Sequence, residues 1–290
     1  MSKYAYFPGC SLHSTAREYE LSTKNLSQEL GVELVDVPDW NCCGASSAHV
    51  TDRGLDLALN GRNLTLAAGI GLDLVVPCAS CYRRLASSRK SLSEDPALSQ
   101  QIAAVLGQPL ALSSQVRSLL EVFTTDEVLD KMQRGARKSL SGLKVAAYYG
   151  CLLVRPAKAA NLDDPENPVS LDKLVTLMGG EALPWPFKTE CCGGSLSLTD
   201  EDSSRVLIER ILNMAKESGA ECVVTACPLC QSNLDMRQMQ LAKSTGRDYN
   251  MPVLYFTQLM GLVLGLGEKA LGLNAHFVDP RPMLQKVGLV

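Results

Sequence analysis

Ten of the eleven cysteines in this 290-residue chain fall into two copies of one arrangement: a lone Cys, then Cys-Cys-Gly, then Cys-x-x-Cys. The first copy is Cys10, Cys42-Cys43-Gly44 and Cys78-Ala79-Ser80-Cys81; the second is Cys151, Cys191-Cys192-Gly193 and Cys227-Pro228-Leu229-Cys230. The later motifs repeat at a constant offset of 149 (Cys42 to Cys191, Cys78 to Cys227), whereas Cys10 and Cys151 are 141 apart. An insertion of eight residues after Cys151 accounts for the difference, and 155–168, rich in Pro, Asp and Asn, has the turn chemistry for it. Such a pattern reads as a duplication with one soft-metal site per half. Thiolates bind zinc and iron–sulfur clusters, yet five per half is one more than a zinc ion or a cubane cluster needs. The Cys-x2-Cys-x2-Cys run of bacterial ferredoxins is absent.

The rest of the composition limits the alternatives. The chain is 46% hydrophobic and 20% charged, an ordinary globular balance, and its net charge of −3 gives no electrostatic reason to expect nucleic acid or an anionic membrane. The N-terminal MSKYAYFPGC runs directly into a motif without a charged segment and apolar core, so a cytoplasmic protein is expected. In a reducing compartment, eleven cysteines are thiols for metal rather than disulfides. A thioredoxin-like redox pair explains the Cys-x-x-Cys motifs but neither the lone cysteines nor the Cys-Cys pairs.

The motifs need elements to position them. Lys3–Phe7 predicts a strand that delivers Cys10 to a turn; a helix over 15–30 closes at Gly31; the strand 32–37 leads into Cys42-Cys43-Gly44; and a helix over 54–68 precedes the apolar strand 72–76 that delivers Cys78 and Cys81. The second half repeats this with 143–148, 181–186, the helix 202–218 and the strand 222–225. Alternating strands and helices predict an α/β fold: two tandem domains related by a pseudo-twofold, each a small parallel sheet with flanking helices and ligands at the strand C-termini. The expected division is 1–140, including a helical connection over 93–138, and 141–290. The apolar stretch 253–266 is too short to span a bilayer and predicts a core helix or a contact between subunits.

Adjacent cysteines in a strand point to opposite faces, so each pair serves one site only if the chain turns, and Gly44, Gly193 and Gly194 supply that turn and let amides approach sulfur. His13 and His49 stand near Cys10 and Cys43 as candidate proton donors, although such residues are more often satisfied loop histidines. His276, in an apolar tail, reads as structural, Cys222 as a buried strand residue, and Trp40 and Trp185 as shields over the metal sites. Arg83, Arg84, Arg155, Lys188 and Arg205 lie near motifs, but a charge beside a loop is usually just solvated, and none is favoured individually for a role at the sites.

On Cys10, Cys42-Cys43-Gly44, Cys78 to Cys81 and their second-half copies, with the Phe7-Pro8-Gly9-Cys10 opening and the 271–277 tail, the whole chain resembles the CCG-domain family, the cysteine-rich B-type subunits of heterodisulfide reductase. The gaps between motifs, 31 and 34 residues in the first half and 39 and 34 in the second, are similar to that family's. The resemblance implies two non-cubane [4Fe-4S] clusters, one on Cys10, Cys42, Cys43, Cys78 and Cys81, the other on Cys151, Cys191, Cys192, Cys227 and Cys230. It further implies a catalytic subunit that reduces a heterodisulfide to two thiols. Its partners would be a ferredoxin-like iron–sulfur subunit (the C type) and a flavin-containing subunit (the A type), with electron bifurcation in some complexes. The competing expectation is a non-catalytic relay in a succinate, glycolate or lactate type of oxidoreductase. Direct disulfide chemistry calls for a solvent-reachable pocket between the two Cys-Cys-Gly motifs.

Overall fold

The computed structural model describes residues 2–157 and 162–290. Each half is built on a four-stranded, all-parallel sheet. In the first, β1 (Ser2–Tyr6), β2 (Val32–Asp36), β3 (Leu74–Val76) and β4 (Val116–Ser118) are ordered β2-β1-β3-β4; in the second, β5 (Lys144–Tyr148), β6 (Glu181–Ala182), β7 (Cys222–Thr225) and β8 (Val253–Tyr255) are ordered β6-β5-β7-β8. The chain leaves β1 for β2 on one side and returns to β3 on the other, so the strand order reverses between β1 and β3, and likewise between β5 and β7. Open parallel sheets have a crevice beyond the strand C-termini at such a reversal. The chain places Cys10 and Cys78 there in the first half, and Cys151 and Cys227 in the second.

Local sequence explains the elements. β3 and β7 are buried along their whole length, which suits their continuous apolar runs. The Arg17–Leu30 helix ends at Gly31 in the left-handed conformation, and the Arg53–Ile70 helix begins where the Asp52 side chain accepts the Leu55 amide. The helices that follow the Cys-x-x-Cys strands, Ala79–Glu94 and Pro228–Met236, have Cys78 and Cys227 as their N-cap residues, with Pro228 at the first helical position.

One expectation is corrected and one refined. The 93–138 connection is not wholly helical: it contains β4, whose arginine-bearing Val-Arg-Ser sequence is too short and polar to read as a strand but pairs with β3 from Leu74–Val116 to Val76–Ser118. The 253–266 stretch supplies the expected core helix but is not helical from its start, because it opens with β8 and turns into the Phe256–Val263 helix, buried throughout. That helix packs against Arg17–Leu30 of the other half, where Ser22 Oγ and Thr257 Oγ1 lie 2.7 Å apart, and Asn25 Nδ2 donates at 2.9 Å to Ala270 O of the following Glu268–Leu271 helix. One hydrophobic core therefore runs through both sheets. Of the insertion, 158–161 lie outside the described residues; on either side of them Arg155 donates to Pro165 O and pairs with Glu166. Among the described residues, no helix is long and apolar enough to cross a membrane.

Candidate metal centres

The five thiols of the first half converge. Cys10 and Cys42 sulfurs are 3.9 Å apart and those of Cys43 and Cys81 are 3.0 Å apart; Cys42 also hydrogen-bonds Cys43, and Cys81 bonds Cys78. In the second half Cys192 and Cys230 lie at 3.6 Å, Cys151 bonds Cys191, and Cys227 bonds Cys230. The two sets approach each other, because Cys78 and Cys227 lie close enough across the halves to shift each other's proton affinity, Cys78 upward and Cys227 downward. Six sulfurs thus form a row, Cys43, Cys81, Cys78, Cys227, Cys230 and Cys192, and all six side chains are buried. The outer members differ: Cys10 and Cys42 are exposed, and Cys151 and Cys191 are half-buried.

Mutual hydrogen bonding decides which sulfurs give up a proton. Cys43 is pulled down to about 4, first by its interaction with Cys42 and then by that with Cys81; Cys191 falls to about 6 through its interaction with Cys151. Cys227 is held well below the ordinary thiol range by Cys230 and Cys78, and Cys42 and Cys151 are pushed up as the donors. Thiolate-forming sulfur is what iron or zinc requires.

The backbone is shaped to this sulfur. Gly44 N donates to Cys42 Sγ at 3.5 Å and Gly193 N to Cys191 Sγ at 3.3 Å. Both glycines have positive φ, +71° and +72°, and a Cβ on Gly44 would stand 2.5 Å from that of Ala48. Gly194 adjoins the same site, since a Cβ there would meet Cys192 Sγ at 3.4 Å. Gly9 and Gly150 let the chain pass equally close to Cys81 and Cys230, with Cβ positions 3.2 and 3.0 Å from those sulfurs. Among the described residues, no three His, Cys, Asp or Glu side chains close on a point suited to a single metal ion. Ten thiols in two extended groups, with amides aimed at sulfur, fit polynuclear sulfur clusters better than mononuclear zinc.

The remaining candidates divide. His13 is exposed with its ring edge-on to Trp40 at 5.2 Å, and His49 is exposed, while neither makes a described hydrogen bond to a cysteine. His276 is buried between Gln231 and Gln258 at 3.2 and 2.9 Å, a structural position. Cys222 lies on β7 opposite Val145, fully buried with its thiol pushed up to about 12 by burial, and touches neither cysteine group. Trp185 donates to Ala147 O inside the core and Trp40 packs on Phe7. Arg84 pairs with Asp56, Arg155 with Glu166, Lys188 with Asp172 and Arg205 with Asp202. Arg83 keeps two buried nitrogens without hydrogen-bond partners.

Several positioning residues carried too weak a signal to find in the sequence. Asn60 and Asn233 donate to the carbonyls of Cys43 and Cys192 at 3.1 and 2.6 Å, and Asn63 exchanges two hydrogen bonds with the Asn41 backbone. Tyr148 Oη donates to Glu190 O, next to Cys191, at 2.6 Å. The only hint was amide side chains at apolar-face positions of the 53–70 pattern, such as Asn60 and Asn63 beside Leu57 and Leu64.

Both halves match the family model described as the cysteine-rich domain (CCG), over residues 4–86 and 145–235, which enclose all ten motif cysteines. The chain belongs to the CCG cysteine-rich domain family. It has relatives that match it over nearly their whole length. It is 35% identical to the 8-methylmenaquinol:fumarate reductase membrane anchor subunit of Wolinella succinogenes, covering 96% of this chain and 97% of that one. It is 32% identical to the B-type subunit of the ferredoxin:CoB-CoM heterodisulfide reductase of Methanosarcina mazei, covering 99% and 97%. More distant is the glycolate oxidase iron–sulfur subunit of Escherichia coli, 22% identical over 78% of this chain and 52% of that one. Among solved structures, a hypothetical protein from Helicobacter pylori superimposes with a TM-score of 0.77 at 14% identity, over 96% of this chain and 52% of that one, a likeness of fold.

Proposed function

We propose that the chain is an iron–sulfur subunit of a reductase-type complex, and that within it the two five-cysteine groups hold two non-cubane [4Fe-4S] clusters that reduce a disulfide. The observation that carries this reading is the pairing of two complete thiol sets whose inner members, Cys78 and Cys227, approach each other while Cys10, Cys42, Cys151 and Cys191 reach the surface. Cys10, Cys42, Cys43, Cys78 and Cys81 are the ligands of one cluster; Cys151, Cys191, Cys192, Cys227 and Cys230 are those of the other. When bound, the clusters supply electrons one at a time. A disulfide takes up two electrons and two protons, its S–S bond breaks, and two thiols leave.

The protein's own groups orient and shield. Gly44, Gly193 and Gly194 hold the turns tight against sulfur, Asn60 and Asn233 fix the Cys-Cys carbonyls, and Tyr19 ties both Cys-x-x-Cys arms by sharing its proton between Ala226 O at 3.3 Å and Pro77 O at 3.5 Å. The Gly9–Leu12 segment packs against the Pro228–Met236 helix, so the exposed Cys10 end of one half lies beside the other half. The cleft at this junction, about 640 Å³, is bordered by Thr15, Gly194 and Leu229 and by no residue of either Cys-Cys-Gly motif, so it is not the expected pocket between the two motifs. The electrons would come through a ferredoxin-like iron–sulfur partner and ultimately from a flavin-containing one.

The buried Cys78–Cys227 approach also favours a second reading, a relay that passes electrons through the chain to a partner's substrate. Anaerobic holoprotein reduced by methyl viologen and given a mixed aliphatic disulfide separates the two. Catalysis predicts two thiols released per disulfide with both cluster signals perturbed; a relay predicts re-oxidation by a partner and no thiol.

A further inference from the structure

The cleft beside the second cysteine group carries a contiguous apolar surface. Leu198 is 93% exposed, Met239 63% and Phe277 62%, and all three line the cleft together with Leu229 and Met236. Surfaces of monomeric proteins rarely gather large apolar side chains this way unless something covers them. Leu229 is an interior residue of Cys227-Pro228-Leu229-Cys230, and Leu198 lies five residues beyond Gly193. Gly194 lines the cleft, and a Cβ built on it would stand 3.4 Å from the Cys192 sulfur. Whatever fills the cleft is within a side chain of the second centre.

The surface breaks the molecule's pseudo-symmetry. At the constant offset of 149, Leu198, Leu229, Met236 and Met239 correspond to His49, Ser80, Ser87 and Lys90. Both halves keep five cysteines, yet at these four positions only the second half has apolar groups. The cleft lining also has a sign: it includes Arg237 and Lys243 and no carboxylate, in a chain of net charge −3. Arg237 is partly compensated by Glu201 at its rim, whereas Lys243 is exposed. Two cations are too few for an anionic membrane surface, which calls for clusters of about four to eight. A concave, methionine-lined patch beside a redox centre instead matches a protein partner with an apolar contact and carboxylates around it, because methionine adapts to the partner's shape and the carboxylates steer the approach.

We infer that this face is where an acidic ferredoxin-type iron–sulfur protein docks, so that electrons enter through the Cys151/Cys191/Cys192/Cys227/Cys230 group and reach the first group by way of Cys227 and Cys78. Electron tunnelling weakens steeply with distance, and docking here brings the donor against the wall of the second centre. The inference rests on the proposed iron–sulfur reading.

The test uses anaerobic holoprotein, with a reduced acidic two-[4Fe-4S] ferredoxin and, separately, reduced methyl viologen as donors. Leu198→Glu and Met239→Glu change exposed side chains; Val50→Glu, at an exposed apolar position of the first half, is the control. The expected result is reduction by ferredoxin slowed about tenfold in both cleft variants, with methyl viologen rates and the Val50→Glu rates unchanged. Four results would overturn it: ferredoxin rates equal to the parent's in both variants, an equal loss in Val50→Glu, no reduction of the parent by ferredoxin while methyl viologen reduces it, or binding to anionic phosphatidylserine vesicles that both variants abolish with ferredoxin rates unchanged. A parent that methyl viologen does not bleach overturns the iron–sulfur reading itself, and this inference with it.

Discussion

The phenol rings of Tyr19 and Tyr255 lie face to face across the two halves, with centroids 4.0 Å apart and planes 3° from parallel. Each is fully buried and each reaches the sulfur row indirectly: Tyr19 Oη lies by the carbonyls that precede Cys78 and Cys227, and Tyr255 Oη bonds Gln231, next to Cys230, at 3.2 Å. The stack is the point at which packing between the halves and the geometry of both cysteine groups are the same interaction.

Removing the Tyr19 hydroxyl breaks two long hydrogen bonds and little else. Tyr19→Phe is expected to cost about 1 kcal/mol, while Tyr255→Leu, which loses the stack as well, costs about 3 kcal/mol. Anaerobic urea unfolding measures both. Tyr19→Phe is also expected to retain its iron with an altered magnetic coupling between the centres, which unfolding data alone do not report.

Gly44 and Gly193 are expected to be intolerant of alanine for two reasons at once, positive φ and a crowded Cβ position, with Ser204 Cα 3.0 Å from that of Gly193. Gly44→Ala and Gly193→Ala should each cost about 3 kcal/mol and lower iron retention. Gly246 has φ +67° but nothing within 4 Å, so Gly246→Ala should cost only about 1 kcal/mol and leave the iron intact. Equal losses in all three would show that strain, not crowding against the site, sets the cost.

His276 and Asp235 give opposite pH dependences. Burial holds His276 neutral, its pKa lowered from 6.5 to about 4, so the unfolded chain binds the extra proton and stability is lost as pH falls from 6.5 to 4. Burial raises Asp235 from 3.8 to about 6, so the folded chain binds the extra proton and stability is lost as pH rises from 3.8 to 6. Each amounts to about 3 kcal/mol, and they nearly cancel between pH 4 and 6. Replacing the histidine unmasks the carboxyl: His276→Gln should become more stable on acidification from pH 6 to 4, by about 3 kcal/mol relative to the parent's own change. Urea midpoints across that range give the sign.

Cysteine spacing alone made most of the site legible, because the constant offset between motifs survives only if both halves keep one backbone. The strands carrying Cys10, Cys78, Cys151 and Cys227 were readable from apolar runs that end at a motif. β4 and β8 were not, since three residues such as Val116-Arg117-Ser118 carry no periodicity and owe their conformation to pairing with β3 and β7. Nor could the sequence reveal the Cys78–Cys227 approach, which depends on how the Arg17–Leu30 and Phe256–Val263 helices pack. Asn60, Asn233 and Tyr19 were hidden for a related reason: their partners are backbone carbonyls, which leave no pattern in the chain.

The equal status of the ten cysteines is the central claim, and iron counting with electron-paramagnetic spectra of cysteine variants tests it most directly. Anaerobically prepared protein should hold about eight irons per chain and little zinc. Cys43→Ser and Cys192→Ser should each lose iron or change the spectrum of one centre, while Cys222→Ser, whose side chain is buried away from both groups, keeps the parent's iron and spectrum. Stoichiometric zinc in either half, or parent-like iron and spectra in both Cys43→Ser and Cys192→Ser, would contradict the account.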